Sequence, residues 1–113
     1  MKKVLTLNNI SPVGLERFPR EEYEISSEFQ NPDAIVLRSF KMHDMEIPSN
    51  LKAVGRAGAG VNNIPVDKMT ELGIPVFNAP GANANAVKEL TIAGLLLAAR
   101  NLCSAWDYVK NLE

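Results

Sequence analysis

Short apolar runs, separated by polar stretches rich in proline, asparagine and glycine, divide this chain into strand- and helix-sized pieces. Val4 to Leu7 follows two lysines and predicts a first strand. Asn8, Asn9, Ser11, Pro12 and Gly14 then mark a loop. Leu15 and Phe18, with Tyr23 beyond them, suggest one side of a helix that Pro19 limits to a turn or two. Tyr23 to Ser27 alternates loosely and predicts a second strand, and Asn31-Pro32-Asp33 signals a turn. Ala34-Ile35-Val36-Leu37 is continuously apolar, as in strands buried on both faces of a parallel sheet. Phe40 to Asn50 has mixed charge and one proline, a connection with room for one short helix. Lys52 to Arg56 predicts the next strand. Pro65 to Leu72 predicts a helix with Pro65 near its first turn and Gly73 as its left-handed stop. Ile74 to Phe77 is one more strand, with a loop from Asn78 to Asn83 beyond it.

The final stretch carries the clearest helical period. Ala86, Val87, Leu90, Ala93, Gly94, Leu97, Ala98 and Leu102 recur at helical spacing after Asn85, which reads as a cap. Between Ile92 and Ala99 the helix is apolar on nearly every side and needs cover that the rest of the chain is not expected to supply. Trp106 and Tyr108 would either close the core or pack on sequence outside the chain. The alternation predicts an α/β fold: a flavodoxin-like doubly wound parallel sheet of about five strands, ending in a long crossing helix.

A length of 113 residues allows one domain at most. Twelve basic against thirteen acidic residues leave no basic footprint, which argues against nucleic-acid binding. The single cysteine, Cys103, excludes an internal disulfide and reads as an inert helix thiol in a reducing compartment. No leader is visible after Met1-Lys2-Lys3, and Ile92 to Ala99 is too short to span a bilayer, so no membrane and a cytoplasmic location are expected.

Candidate chemistry concentrates between Leu51 and Glu89. Arg56-Ala57-Gly58-Ala59-Gly60 follows a strand and has almost no bulk beyond one guanidinium. Such a loop lets amide N–H groups approach an anion beside a fixed positive charge. Arg38 and Ser39 follow another strand, and two strands ending in arginine on the carboxyl edge of one sheet would converge where ligands bind. Gly58-x-Gly60-x-x-Asn63 must also be weighed as a dinucleotide fingerprint. Asn63 replaces the third glycine, the next helix is short and opens on a proline, and no acid stands at the ribose spacing. A purely structural turn is the plainer alternative. His43 reads as solvated among Lys41, Asp44 and Glu46, and Met42, Met45 and Met69 as packing residues. No nucleophile triad, metal-ligand spacing or general acid–base is evident, so the residues describe a binding surface with no catalytic group and no metal.

The run GRAGAGVNNIPVDKMTELGIPVFNAPGANANAVKEL, with Ala34-Ile35-Val36-Leu37-Arg38-Ser39 before it, resembles the amino-terminal substrate-binding domain of the D-2-hydroxyacid dehydrogenases. The likeness is greatest to the branch that oxidises a phosphorylated acid and covers about half of the chain. Members carry an NAD-binding Rossmann domain inserted into the substrate domain. The resemblance therefore implies that residues 1–113 are part of the substrate-binding domain, with the Rossmann domain and the family's catalytic arginine, glutamate and histidine outside this chain. That would explain both the uncovered helix and the missing acid–base, and the chain alone would be inactive.

Position by position, the resemblance implies that the amides of Ala59 and Gly60, with Gly58, receive a substrate carboxylate. Arg56 would meet the phosphorylated substrate, and Arg38 with Ser39 would add charge at the same mouth. Ala79 falls where relatives often have threonine near the nicotinamide, so contact with NAD there would be by packing or backbone. Asn83, also expected to touch the cofactor, matches a polar position facing the interdomain cleft, and Asn62 stands where relatives usually carry aspartate. The implied reaction is NAD-dependent oxidation of 3-phosphoglycerate to 3-phosphohydroxypyruvate, the entry to serine synthesis, in a homo-oligomer. A reductase for glyoxylate or another 2-keto acid is the alternative within the family. A stand-alone flavodoxin-like binding module is the alternative outside it.

Overall fold

The computed structural model describes residues 1–112 and divides into two units, Met1–Pro80 and Gly81–Glu113. The first unit runs β1 (Lys2–Leu7), α1 (Pro12–Leu15), β2 (Tyr23–Ser26), β3 (Ala34–Leu37), β4 (Ala53–Arg56), α2 (Val66–Leu72) and β5 (Val76–Phe77). All neighbouring strands are parallel, in the order β2-β1-β3-β4-β5. This is the flavodoxin-like sheet that the alternation of runs predicts. Strand order reverses between β1 and β3, so the crevice outside their carboxyl ends is the natural ligand position. Asn8 and Arg38 follow those two ends directly.

Register builds the core. Leu5 pairs with Ile35 and Ile35 with Val54, and side chains alternate along a strand, so these three share one face. Ile35, Leu37 and Val54 are fully buried there, closed over by Met42, Leu51, Ile64, Met69 and Ile74. Ala34 and Val36 on the other face are only half-buried. The apolar run of β3 is therefore not buried on both faces within this structure, because an unbroken apolar run does not say which of its faces is covered.

Other boundaries differ locally. The segment from Phe40 to Asn50 forms turns without a helix. The fully buried Met42 anchors it, donating its N–H to the Asn63 carbonyl at 2.8 Å. β5 is shorter than the apolar run because Pro75 lacks an N–H, although its carbonyl accepts from Val54 at 3.1 Å. Gly73 stops α2 at φ 70°, as expected.

The second unit holds α3 (Ala84–Ala99) and α4 (Leu102–Lys110). The single long helix read from the periodicity is thus two helices, broken where Asn101 takes φ 50°. Asparagine enters the left-handed region more readily than other non-glycine residues, and the apolar period alone does not register the break. Asn83, not Asn85, caps α3, and it does so without a side-chain bond. Asn85 lies inside the helix and donates to Glu89 Oε1 at 3.2 Å. Leu90 is 75% exposed and Leu95 65%, in keeping with a helix that needs outside cover. Trp106 is also exposed. Among the described residues no helix is long and apolar enough to cross a membrane.

Candidate functional site

Register places Leu37 of β3 beside Arg56 of β4, so the segments that follow both strands leave the same edge side by side. The Ala57 N–H donates to the Leu37 carbonyl at 2.8 Å, extending the pairing one step past the ladder. Arg38 and Arg56 therefore stand at the same sheet edge, and it is the main chain of Arg38 that the Arg56 side chain meets. The Nε–H of Arg56 donates to the main-chain carbonyl of Arg38 at 2.7 Å, and its Nη1 bonds the carbonyl of Gly60. Arg38 Nη1 reaches the Asn9 carbonyl at 3.4 Å. Every polar contact of these two guanidinium groups among the described residues is to a main-chain oxygen, which leaves their charge unopposed by a carboxylate.

Gly58, Ala59 and Gly60 have their carbonyls turned to protein donors. Gly58 O accepts the Ala79 N–H at 2.9 Å, Ala59 O accepts Asn78 Nδ2 at 2.8 Å, and Gly60 O takes the Arg56 bond. None of the three N–H groups donates to an acceptor among the described residues. Ala59 and Gly60 are exposed and Gly58 half-buried, so these amides stand at an opening. Free donors beside the Arg56 guanidinium, which has no carboxylate partner among the described residues, are an arrangement able to receive an anion. The glycines leave room for the Arg56 side chain, since a Cβ on Gly58 would lie 3.3 Å from Arg56 Cζ and one on Gly60 3.0 Å from Arg56 Nη1.

Arginine has five N–H donors, and Arg56 uses two of them on backbone, leaving three for a ligand. The sequence suggests no partner for this side chain because its acceptors are carbonyls, which every residue carries. Ser39 is exposed beside Arg38. Ala79 presents a methyl group, and its own N–H is spent on Gly58. Asn83 belongs to the second unit, where it caps α3. His43 is exposed, and its Nε2 lies 2.7 Å from the Asn62 carbonyl, a contact that solvated surroundings do not predict.

Three asparagines matter more than the sequence suggests. Asn8, legible only as a loop marker, adopts φ 79° and accepts the N–H groups of Arg38 and Phe40. Asn63, legible only as a missing glycine, is buried and donates to the carbonyls of the same two residues. Asn78 ties down Ala59. The available signal was an amide side chain just past a strand end, where short polar side chains bond backbone. The loop does not fit a dinucleotide: α2 begins at Val66, well past Gly60, so the glycines do not open a helix onto a pyrophosphate.

A parallel sheet in this order, with an amide-lined loop after β4, is an α/β domain of the doubly wound, flavodoxin-like kind. Residues 4–106 match the family described as D-isomer specific 2-hydroxyacid dehydrogenase, catalytic domain, and the chain belongs to that family. It is 41% identical over 93 residues to a D-3-phosphoglycerate dehydrogenase of Methanocaldococcus jannaschii, covering 80% of this chain and 18% of the relative. A protein of that name from Synechocystis is 36% identical over 97% of this chain and 22% of its own length. A hydroxypyruvate reductase of Thermotoga maritima is 37% identical over 80% of this chain and 34% of its own length. The chain thus spans about a fifth to a third of these relatives.

Proposed function

We propose that this chain is the acid-holding part of an NAD-dependent oxidoreductase that converts 3-phosphoglycerate to 3-phosphohydroxypyruvate, the step that opens serine synthesis. The observation that carries this reading is the set of unspent N–H groups at Gly58, Ala59 and Gly60 next to Arg56. In the proposal those amides take the carboxylate, and the three remaining donors of Arg56, with Arg38 and Ser39, take the phosphate. A carboxylate held this way presents C2 in a fixed direction, which is the positioning a transfer step needs. When bound, NAD supplies the hydride acceptor. Its Rossmann domain lies outside these residues, with Ala79 and Asn83 adding only packing and amide contacts. The working enzyme is read as a cytoplasmic homo-oligomer, and this chain alone as inactive.

The test is kinetic. In the enzyme that carries this segment, Arg56→Ala should raise KM for 3-phosphoglycerate at least tenfold and KM for D-glycerate less than twofold. Equal effects on the two acids would remove the phosphate assignment. One observation favours a second reading, a reductase of an unphosphorylated 2-keto acid: Arg56 already spends two donors on backbone. On that reading the arginine is a loop clamp, and both acids respond alike.

A further inference from the structure

We propose that Asn8 and Asn63 are positioning residues of the anion loop: two carboxamides that hold Arg38 and Phe40 and through them set the guanidinium of Arg56. Its bearing on substrate rests on the reading above, whereas the coupling itself can be tested without a ligand. Asn8 Oδ1 accepts the N–H of Arg38 at 3.0 Å and of Phe40 at 2.8 Å. Asn63 Nδ2 donates to the carbonyls of the same residues at 2.9 and 2.8 Å. Side chains from two other loops thus bond the N–H and C=O groups of two alternate residues, with exposed Ser39 between them.

The Arg38 carbonyl is the junction. It accepts from Asn63 Nδ2 and from the Arg56 Nε–H at 2.7 Å, so one oxygen ties the buried amide to the guanidinium. Two acceptors fix which way the Asn63 amide turns, because its NH₂ must face both carbonyls. Its Oδ1 is then left buried with no partner, on a residue only 8% exposed. A buried acceptor without a donor is unfavourable, and an apolar side chain of similar size would avoid it. An apolar residue could not aim two carbonyls. Asn8 shows the same trade, holding φ 79° while its oxygen serves two N–H groups. Two local rules broken around one three-residue segment mark a region organised for a site more than for packing.

The experiment uses the ¹⁵N-labelled chain and follows exchange of the Arg56 Nε–H, of the Ile35 and Val54 amides in the core, and affinity for 3-phosphoglycerate and D-glycerate. Asn63→Leu and Asn63→Asp should speed Arg56 Nε–H exchange at least tenfold and leave Ile35 and Val54 protection within twofold. Asn8→Gly keeps the backbone but removes the acceptor and should act likewise, whereas Asn8→Asp retains an acceptor and should restore protection. Affinity of Asn63→Leu for 3-phosphoglycerate should fall at least fivefold. Core amides losing protection in parallel, an unchanged Arg56 Nε–H, or native affinity in Asn63→Leu would each overturn the proposal. A native chain that binds neither acid would instead overturn the substrate reading, and the exchange data would then decide the coupling by themselves. If the Asn63 variants do not fold, the Asn8 pair decides it.

Discussion

Gly60 and Arg56 are built around each other: the Gly60 carbonyl accepts from Arg56 Nη1, and a Cβ on Gly60 would stand 3.0 Å from that nitrogen. Gly60 is not at positive φ, so its absence of a side chain serves this contact and not a backbone conformation. Gly60→Ala should therefore push the guanidinium aside while the sheet persists. Unfolding free energy should change by less than about 1 kcal/mol, since the atom displaced is the end of a flexible side chain. Binding of 3-phosphoglycerate should weaken several-fold, as read by calorimetric titration. Gly58→Ala, with its nearest atom at 3.3 Å, should do the same more mildly.

Arg56→Lys tests the fork against the charge. An ammonium group is a point charge on a flexible stem and cannot serve two carbonyls as the planar fork does. Lysine should therefore behave nearly like alanine in stability, each losing about 1–2 kcal/mol for two charge-assisted bonds on a half-exposed side chain. Urea titrations of both variants measure it, and full retention of stability in Arg56→Lys would show that charge alone suffices.

Gly73 is held at φ 70°, with open space where a Cβ would stand. Gly73→Ala should thus be destabilising through the backbone alone, by about 1–2 kcal/mol. Denaturant unfolding should show a lower midpoint with an unchanged slope.

Asp33 sets an acid limb. Its carboxyl is held below its ordinary value, chiefly by the Lys3 N–H donating at 2.8 Å, and further by Asn50 and the charges of Lys52 and Lys3. A carboxylate with a lowered folded value adds stability above its unfolded value and loses it as pH falls through the lowered one. Asp33→Asn should accordingly be less stable than native at neutral pH, with the gap closing as acid protonates the native carboxyl. Thermal melts across the acid range would check this.

Much of the first unit was legible because its strands are bounded by polar punctuation and run parallel. The apolar stretches fixed five strands, and Gly73 stopped α2 where a glycine should. The placing of Arg38 and Arg56 at one sheet edge followed from both arginines standing at strand ends of one sheet. What stayed hidden was carried by backbone acceptors and by asparagine. The Arg56 bonds go to carbonyls, which leave no trace in a sequence. Asn8 and Asn63 act on residues about thirty and twenty-five positions away, beyond any local pattern. Asn101 breaks the final helix by a dihedral angle that an apolar period does not encode.

The most direct check of the anion cradle is a two-dimensional NMR titration of the chain with 3-phosphoglycerate. The account predicts saturable shifts at the Gly58, Ala59 and Gly60 amides and at the Arg56 side chain. Silence at those four positions, with the acid shifting signals elsewhere or none at all, would contradict it.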